Sequence, residues 1–282
     1  MSVTTLLKIS RPGLWLVFVW LYLWPTGGRT DLLSSPIFWL GVIYCTFPLN
    51  LLVYGMNDLV DEDVDQDNPR KGNFIYGAKT TRKDRRRLPL ALFLINSVCL
   101  IPISWMTGKW LETLIWFGSA FAVNFAYNNK PFQLSRKCPF EVPTMILGHF
   151  LIPILACYIN ELEYPRAASW VFNGLLLARS HIWLEFADIA VDVKEGKRTL
   201  AVVVGPKWAF RTVISLTLLE SLVGYVYLES AVLGLFSLFG VVVFSMNATD
   251  KGVKEEKVHV SISQSLVGVV LMCYLWINRV FL

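Results

Sequence analysis

The sequence predicts an all-α integral membrane protein of about nine transmembrane helices, and three observations predict it. Of the 282 residues, 55% are hydrophobic and only 17% charged, against about a quarter charged in ordinary soluble domains. The apolar residues fall into blocks of roughly 17–22, the length that crosses a bilayer core. The lysines and arginines sort to alternate connections between those blocks. A soluble helical protein would not need so many apolar blocks of that length.

In chain order the expected spans are Leu14–Trp24, Ile37–Met56, Leu88–Trp105, Leu111–Tyr127, Pro143–Tyr158, Ala168–Phe186, Phe210–Leu228, Ala231–Met246 and Val260–Leu282. The first is short because Gly27-Gly28 breaks it. One side of the membrane receives Lys8 and Arg11 before the first span, Arg70, Lys71, Lys79, Arg82, Lys83, Arg85, Arg86 and Arg87 before the third, and Lys130, Arg136 and Lys137 before the fifth. It also receives Lys194, Lys197, Arg198, Lys207 and Arg211 around the start of the seventh span, and Lys251, Lys254 and Lys257 before the ninth. The opposite side holds only Arg29, Lys109, Arg166 and Arg279. This positive-inside pattern places the N-terminus on the cytoplasmic side. The net charge of +5 thus reflects membrane orientation and argues against a nucleic-acid partner. The five cysteines form no CxxC pair and read as small apolar residues rather than a disulfide framework. The whole chain, 1–282, reads as one polytopic domain with two polar segments on the cytoplasmic side, 57–87 and 185–207.

Those two segments carry the chemistry. The first runs Asn57-Asp58-Leu59-Val60-Asp61-Glu62-Asp63-Val64-Asp65-Gln66-Asp67, and the second Glu185-Phe186-Ala187-Asp188-Ile189-Ala190-Val191-Asp192. Asn57, Asp61 and Asp65 recur every four residues, and Glu185, Asp188 and Asp192 at three and four, so on a helix each set shares one face. Asn50 lies on the face of Asn57 two turns earlier, and His181 on the face of Glu185 one turn earlier; both are candidates for substrate contact. Carboxylates stacked on one face repel one another, and at membrane depth each costs a few kcal/mol more. A divalent cation offsets both costs. Hard oxygen donors suit Mg²⁺, which keeps several waters and bridges carboxylates to substrate phosphates. Glu62, Asp63 and Asp67, off the periodic face, read as solvated acids. Two acidic faces holding Mg²⁺ can bind a diphosphate. Metal ions with Lys and Arg then stabilise a departing pyrophosphate. A membrane pocket shields the resulting allylic cation from water. Catalysis is therefore expected to rest on Asp61, Asp65, Asp188 and Asp192.

These residues resemble the two signatures of the UbiA superfamily of intramembrane prenyltransferases. The first segment matches N-D-x-x-D-x-x-x-D. The second matches D-x-x-D-x-x-x-D with Glu185 replacing the first Asp. Gly196-Lys197-Arg198-Thr199-Leu200 through Gly205 is similar to the family's G-x-R-T-L…G continuation. Ser10-Arg11-Pro12 and Tyr127-Asn128-Asn129-Lys130-Pro131-Phe132 resemble two further family segments. The resemblance implies nine helices around a central lipid-open cavity. It implies Asn57, Asp61 and Asp65 on one Mg²⁺ and Asp188 and Asp192 on another, with Glu185 completing the second acidic set. It also implies phosphate contacts from Arg11, Lys71, Lys130, Lys197 or Arg198. The partners would be an isoprenyl diphosphate donor, a lipophilic acceptor and membrane lipid. Asp58, one residue off the periodic face, is expected to brace the helix end.

The chain departs from the family pattern where many members have Arg-Pro-Leu after the first motif. Here Asn73-Phe74-Ile75 stands, so Lys71 or Lys79 would substitute for the arginine. The Asn68–Gly72 stretch resembles the lycopene-elongase branch. Arg179, inside the sixth span, is expected to pair with a carboxylate of the acidic cluster. Glu141 is expected to form an interfacial salt bridge with Lys137. Asn124, Asn160 and Asn173 are expected to hydrogen-bond between helices or in loops. Two other functions use the same features. One is a terpene cyclase on the same fold, which needs no acceptor. The other is an ion-coupled transporter, which would show broken helices in matched halves.

Overall fold

The computed structural model describes residues 1–60, 71–249, 252–253 and 270–282, and nearly all of them are helical or in short connections between helices. They group into two compact units, one of residues 1–132 and 148–164, the other of residues 133–147 and 165–282.

The first unit opens with α1 (Val3–Ile9) and α2 (Trp15–Leu23), separated by a left-handed Arg11 (φ 50°) and a single 3-10 turn at Pro12–Leu14. The next hydrophobic block is two helices, α3 (Pro36–Cys45) and α4 (Phe47–Val60). Pro48 has no N–H to continue the ladder, so the chain breaks at Thr46. The Asn50 amide nitrogen mends that break by donating to Cys45 O at 2.9 Å and Thr46 O at 2.7 Å. α5 (Arg82–Thr107) starts with a capping box in which Thr81 and Asp84 bond each other's backbone amides, and it stops at left-handed Gly108. α6 (Trp110–Asn128) and the later part of α7 (Glu141–Asn160) complete the unit.

Polar side chains tie these helices together where water is absent. Tyr44 donates to Asn96 Oδ1 at 3.0 Å, and the Asn96 amide donates on to Pro48 O. Asn124 reaches Leu52 O, Asn160 reaches the Tyr22 hydroxyl, and the Trp116 indole donates to Leu151 O. The expectation of interhelical bonds therefore holds for Asn124 and Asn160. Asn173 instead donates along its own helix to Ser169 O.

The second unit is built on α8 (Ala167–Lys194), which runs eight residues past the expected end of the sixth span and carries all of the second acidic motif on one helix. After it come a one-turn α9 (Leu200–Val204), α10 (Pro206–Leu222) extended by a π turn at Val223–Tyr227, and α11 (Ala231–Asn247). α10 and α11 cross on small residues. A Cβ at Gly234 would lie 3.0 Å from Tyr225 Cβ, and one at Gly224 would lie 3.0 Å from Leu233 Cβ. Of the expected ninth span, residues 260–269 lie outside the described residues, and 270–277 are helical.

Among the described residues, five helical stretches are long and apolar enough to cross a bilayer: Val3–Thr26, Pro36–Val60, Arg82–Thr107, Glu141–Asn160 and Pro206–Tyr227. α11 is apolar but shorter. α6 and α8 have the length but carry buried polar residues, including Asn124, Asn128, Arg179 and Glu185. Large apolar side chains face outward along these helices, with Trp105, Val98 and Leu111 each more than 60% exposed. Such a surface suits lipid rather than water.

Arg179 departs from expectation. Its guanidinium binds the Glu220 carboxylate of α10 through Nε and Nη2, and not the acidic motif on its own helix. The Ser237 hydroxyl of α11 donates to Glu220 Oε1 at 2.7 Å, and the Phe244 ring lies under the guanidinium. Glu220 is fully buried. Glu220→Ala would leave a buried cation unmatched. It should destabilise the protein by about 3 kcal/mol, whereas an Arg179→Met/Glu220→Leu double variant should recover most of that loss. Thermal unfolding of the purified protein in detergent checks this; a double variant no more stable than Glu220→Ala would contradict it.

Candidate active site

The first acidic motif begins on the last turns of α4. Asn57 is half-buried there, and Asp58 is 1% exposed. Asp61 and Asp65, with Glu62, Asp63 and Asp67, lie outside the described residues. Asp58 turns away from Asn57, as the spacing predicts, and holds two cations. Its Oδ1 accepts from Lys71 Nζ at 2.7 Å and from Arg11 Nη2 at 3.2 Å. The Arg11 guanidinium also lies 4.5 Å from the centre of the Tyr54 ring. Two cations meet one carboxylate there in a largely buried spot. Arg11 Nε and Asp58 Oδ2 are buried there without hydrogen-bond partners.

The 71–77 turn covers this group. Gly72 N–H bonds Gly77 O at 2.8 Å, Gly13 N–H bonds Phe74 O, and Lys8 donates to Gly72 O. Gly77 has φ +97°, and a Cβ there would lie 3.3 Å from Arg11 Nε and 3.5 Å from Lys71 Nζ. Of the two lysines expected to replace the missing arginine, Lys71 joins the charged group and Lys79 is exposed.

The second motif lies on α8. Glu185 and Asp192 are buried and Asp188 is half-buried. Glu185 Oε2 accepts from the Ala201 amide at 3.3 Å, and its Oε1 stands 3.2 Å from His181 Nε2. Asp192 accepts from Lys197 Nζ at 3.1 Å and from the Thr199 hydroxyl at 3.4 Å, and Lys197 also pairs with Glu195 at 2.8 Å. Burial pushes the Asp192 carboxyl above its ordinary range, with Lys197 opposing the shift. For Lys197, burial pulls downward, but the hydrogen bond to Glu195 and the charge of Asp192 outweigh it and leave the ammonium above its ordinary value. Both motifs thus combine a buried carboxylate with lysine or arginine.

The remaining candidates divide. Arg198 and Lys130 are exposed on connections. Asn50 is fully buried with its nitrogen committed to the α3–α4 break, and only its Oδ1 lacks a partner. Glu141 is a correction: it is fully buried at the first position of α7 and accepts from the Leu200 amide at 2.7 Å, with no ion pair to Lys137. Lys137 precedes the helix, so the four-residue spacing does not put the two on one face. Among the described residues no three His, Cys, Asp or Glu side chains gather as a metal cage. The donor set still fits Mg²⁺, which needs only one or two carboxylates when water and phosphate complete its shell. Asp188 and Asp192, one turn apart, supply such a pair.

The UbiA prenyltransferase family model matches residues 12–257. A lycopene elongase/hydratase of Corynebacterium glutamicum is 28% identical over 188 residues, which cover 66% of this chain and 64% of that protein, so the chain spans less than two thirds of that relative's length. A lycopene elongase/hydratase of Halobacterium salinarum is 27% identical over 77% of this chain and 78% of its own. The fold is similar to that of a UbiA homolog from Archaeoglobus fulgidus bound to GPP and Mg²⁺, with TM-score 0.75, 17% identity, and coverage of 98% of this chain and 99% of that one.

Asp58 carries a prediction of its own. Asp58→Asn keeps the shape but removes the charge between Arg11 and Lys71. It should cost about 3 kcal/mol of stability, because Arg11 and Lys71 lose the buried charged acceptor they share. An Asp58→Asn/Lys71→Met variant should regain part of that. Thermal unfolding of the purified variants measures both; equal stability of Asp58→Asn and the parent would contradict the assignment of Asp58 as the brace.

Proposed function

This chain belongs to the UbiA prenyltransferase family, and on that premise we propose that it transfers an isoprenyl group from an isoprenyl diphosphate to a lipophilic acceptor, releasing pyrophosphate. The observation that carries this reading is the pairing of a buried carboxylate in each acidic motif with cations: Asp58 with Arg11 and Lys71, and Asp192 with Lys197. A carboxylate face beside a cationic one is what a metal diphosphate requires. The acceptor is a carotenoid, a reading supported by similarity to relatives described as lycopene elongase/hydratases.

Asn57, Asp61 and Asp65 would hold one Mg²⁺, and Asp188 and Asp192 a second, with Glu185 beside them. When bound, Mg²⁺ supplies charge neutralisation for the departing pyrophosphate. Arg11 and Lys71 at the first motif, and Lys130, Lys197 and Arg198 on the connections, would bind phosphate oxygens and stabilise the negative charge that grows on them. The carbon–oxygen bond of the allylic diphosphate breaks, and its electron pair leaves with pyrophosphate. The π electrons of the acceptor then form the new carbon–carbon bond, and a proton is lost. Apolar helices keep water from the cation. His181 and Asn50 would flank the substrate. With the basic connections facing the cytoplasm, the N-terminus and both motifs would lie on that side of the membrane.

Asp61→Ala and Asp188→Ala should each lower Mg²⁺-dependent pyrophosphate release by at least about a hundredfold, the scale of losing one electrostatic contact to the transition state. Both variants should remain folded and membrane-inserted. Membranes given dimethylallyl, geranyl, farnesyl and geranylgeranyl diphosphates, with and without lycopene, provide the assay by product mass. Product from donor alone would instead indicate a cyclase. Full activity in either Asp variant would remove the mechanism.

A further inference from the structure

The segment that carries Lys197 and Arg198 is tied down at every residue. The Lys197 amide donates to Asp192 O at 2.9 Å, the Arg198 amide to Arg136 O at 3.0 Å, and Arg198 O accepts from the Cys138 amide at 2.7 Å. The Thr199 hydroxyl reaches Asp192 Oδ2, the Leu200 amide Glu141 Oε1, and the Ala201 amide Glu185 Oε2. The last two bonds are unusual. Thr199 is the residue before α9, where a threonine ordinarily caps the helix with its own hydroxyl. Here it makes no side-chain cap, because that hydroxyl faces Asp192. Two buried carboxylates from α7 and α8 take over the first amides of α9 instead. Glu141 is 0% exposed, and among the described residues its only hydrogen bond to another residue is the one to Leu200. Burying a carboxylate for a single main-chain bond is costly unless the position of that main chain matters.

We propose that Glu141 is a positioning residue for diphosphate binding: with Glu185 it clamps the Leu200 and Ala201 amides and so fixes the segment that presents Lys197 and Arg198. The same segment returns to Asp192, so the clamp also sets the distance between an acidic-motif carboxylate and the cation beside it. This rests on the reading that Lys197 and Arg198 meet phosphate. Glu141 itself touches no substrate.

Three variants of the full chain test it. Glu141→Ala removes the acceptor, Glu141→Gln keeps an oxygen for the Leu200 amide, and Leu200→Pro removes the donor. Proline is tolerated at the first residue of a helix, and Thr199 (ψ 164°) already has the extended conformation that must precede it. The readouts are hydrogen exchange at the Leu200 and Ala201 amides, the affinity for inorganic pyrophosphate with Mg²⁺, and KM against kcat for the isoprenyl diphosphate. Glu141→Ala and Leu200→Pro should each weaken pyrophosphate binding and raise KM by about tenfold, the usual scale for losing one charge-assisted hydrogen bond. kcat should change far less, Glu141→Gln should stay near the parent, and a Glu141→Ala/Leu200→Pro double variant should be no worse than either single one. Faster exchange in Glu141→Ala with unchanged pyrophosphate affinity would overturn the proposal, as would a Glu141→Gln variant as impaired as Glu141→Ala. Pyrophosphate binding needs no turnover. A parent protein that binds pyrophosphate but transfers no isoprenyl group would therefore sink the transfer reading and leave this one standing.

Discussion

A carboxylate buried among apolar helices has no water to solvate it, so its hydrogen bonds must come from the protein, and in this chain that requirement organises both compact units. Asp58 gathers Arg11 and Lys71. Glu220 gathers Arg179 and Ser237. Glu141 and Glu185 accept from main-chain amides, and Asp192 accepts from Lys197 and Thr199. Apart from Asp192, each carboxylate joins segments apart in sequence: residues 11, 58 and 71; residues 179, 220 and 237; residues 141 and 200; residues 185 and 201. Buried charge therefore specifies which segments meet, a task that apolar contact between similar helices performs poorly in lipid.

The two motifs meet the requirement differently. At the first, the carboxylate is balanced by side-chain cations, and the turn above it is shaped by Gly77, whose positive φ lets backbone approach Arg11 and Lys71 closely. At the second, amides of the next helix do much of the work, and the cation Lys197 is shared between Asp192 and Glu195. Side-chain pairing allows rearrangement when an anion arrives, because lysine and arginine can exchange one oxygen partner for another. Amide capping is fixed by the backbone.

Periodicity made the second motif legible, because Glu185, Asp188 and Asp192 share one uninterrupted helix. The off-face position of Asp58 likewise pointed to its bracing role. Periodicity told only part of the story at Asn50, which lies on the face of Asn57 and keeps its Oδ1 open, but whose nitrogen is occupied by the helix break at Thr46, four residues earlier. It misled at Glu141, where a lysine four residues earlier suggested an ion pair although the helix starts only at Glu141. The Arg179–Glu220 pair was beyond reach, since a partner 41 residues away on another helix leaves no local pattern. The helix count was blurred by the same polar residues that matter, because an acid-bearing helix such as α8 reads as less apolar than its neighbours.

The polar atoms left over add a final distinction. Asn160 and Asn173 each keep one buried amide oxygen without a partner, as Asn50 does. These are neutral groups inside helices, where an unused carbonyl-type oxygen costs little because its nitrogen is bonded. Unpartnered atoms of charged groups are a different matter, since each forgoes a stronger bond. Arg11 Nε and Asp58 Oδ2 lie at the first motif, and Glu141 Oε2 beside the second. Such an atom beside an acidic motif is bonding capacity that a charged ligand would use.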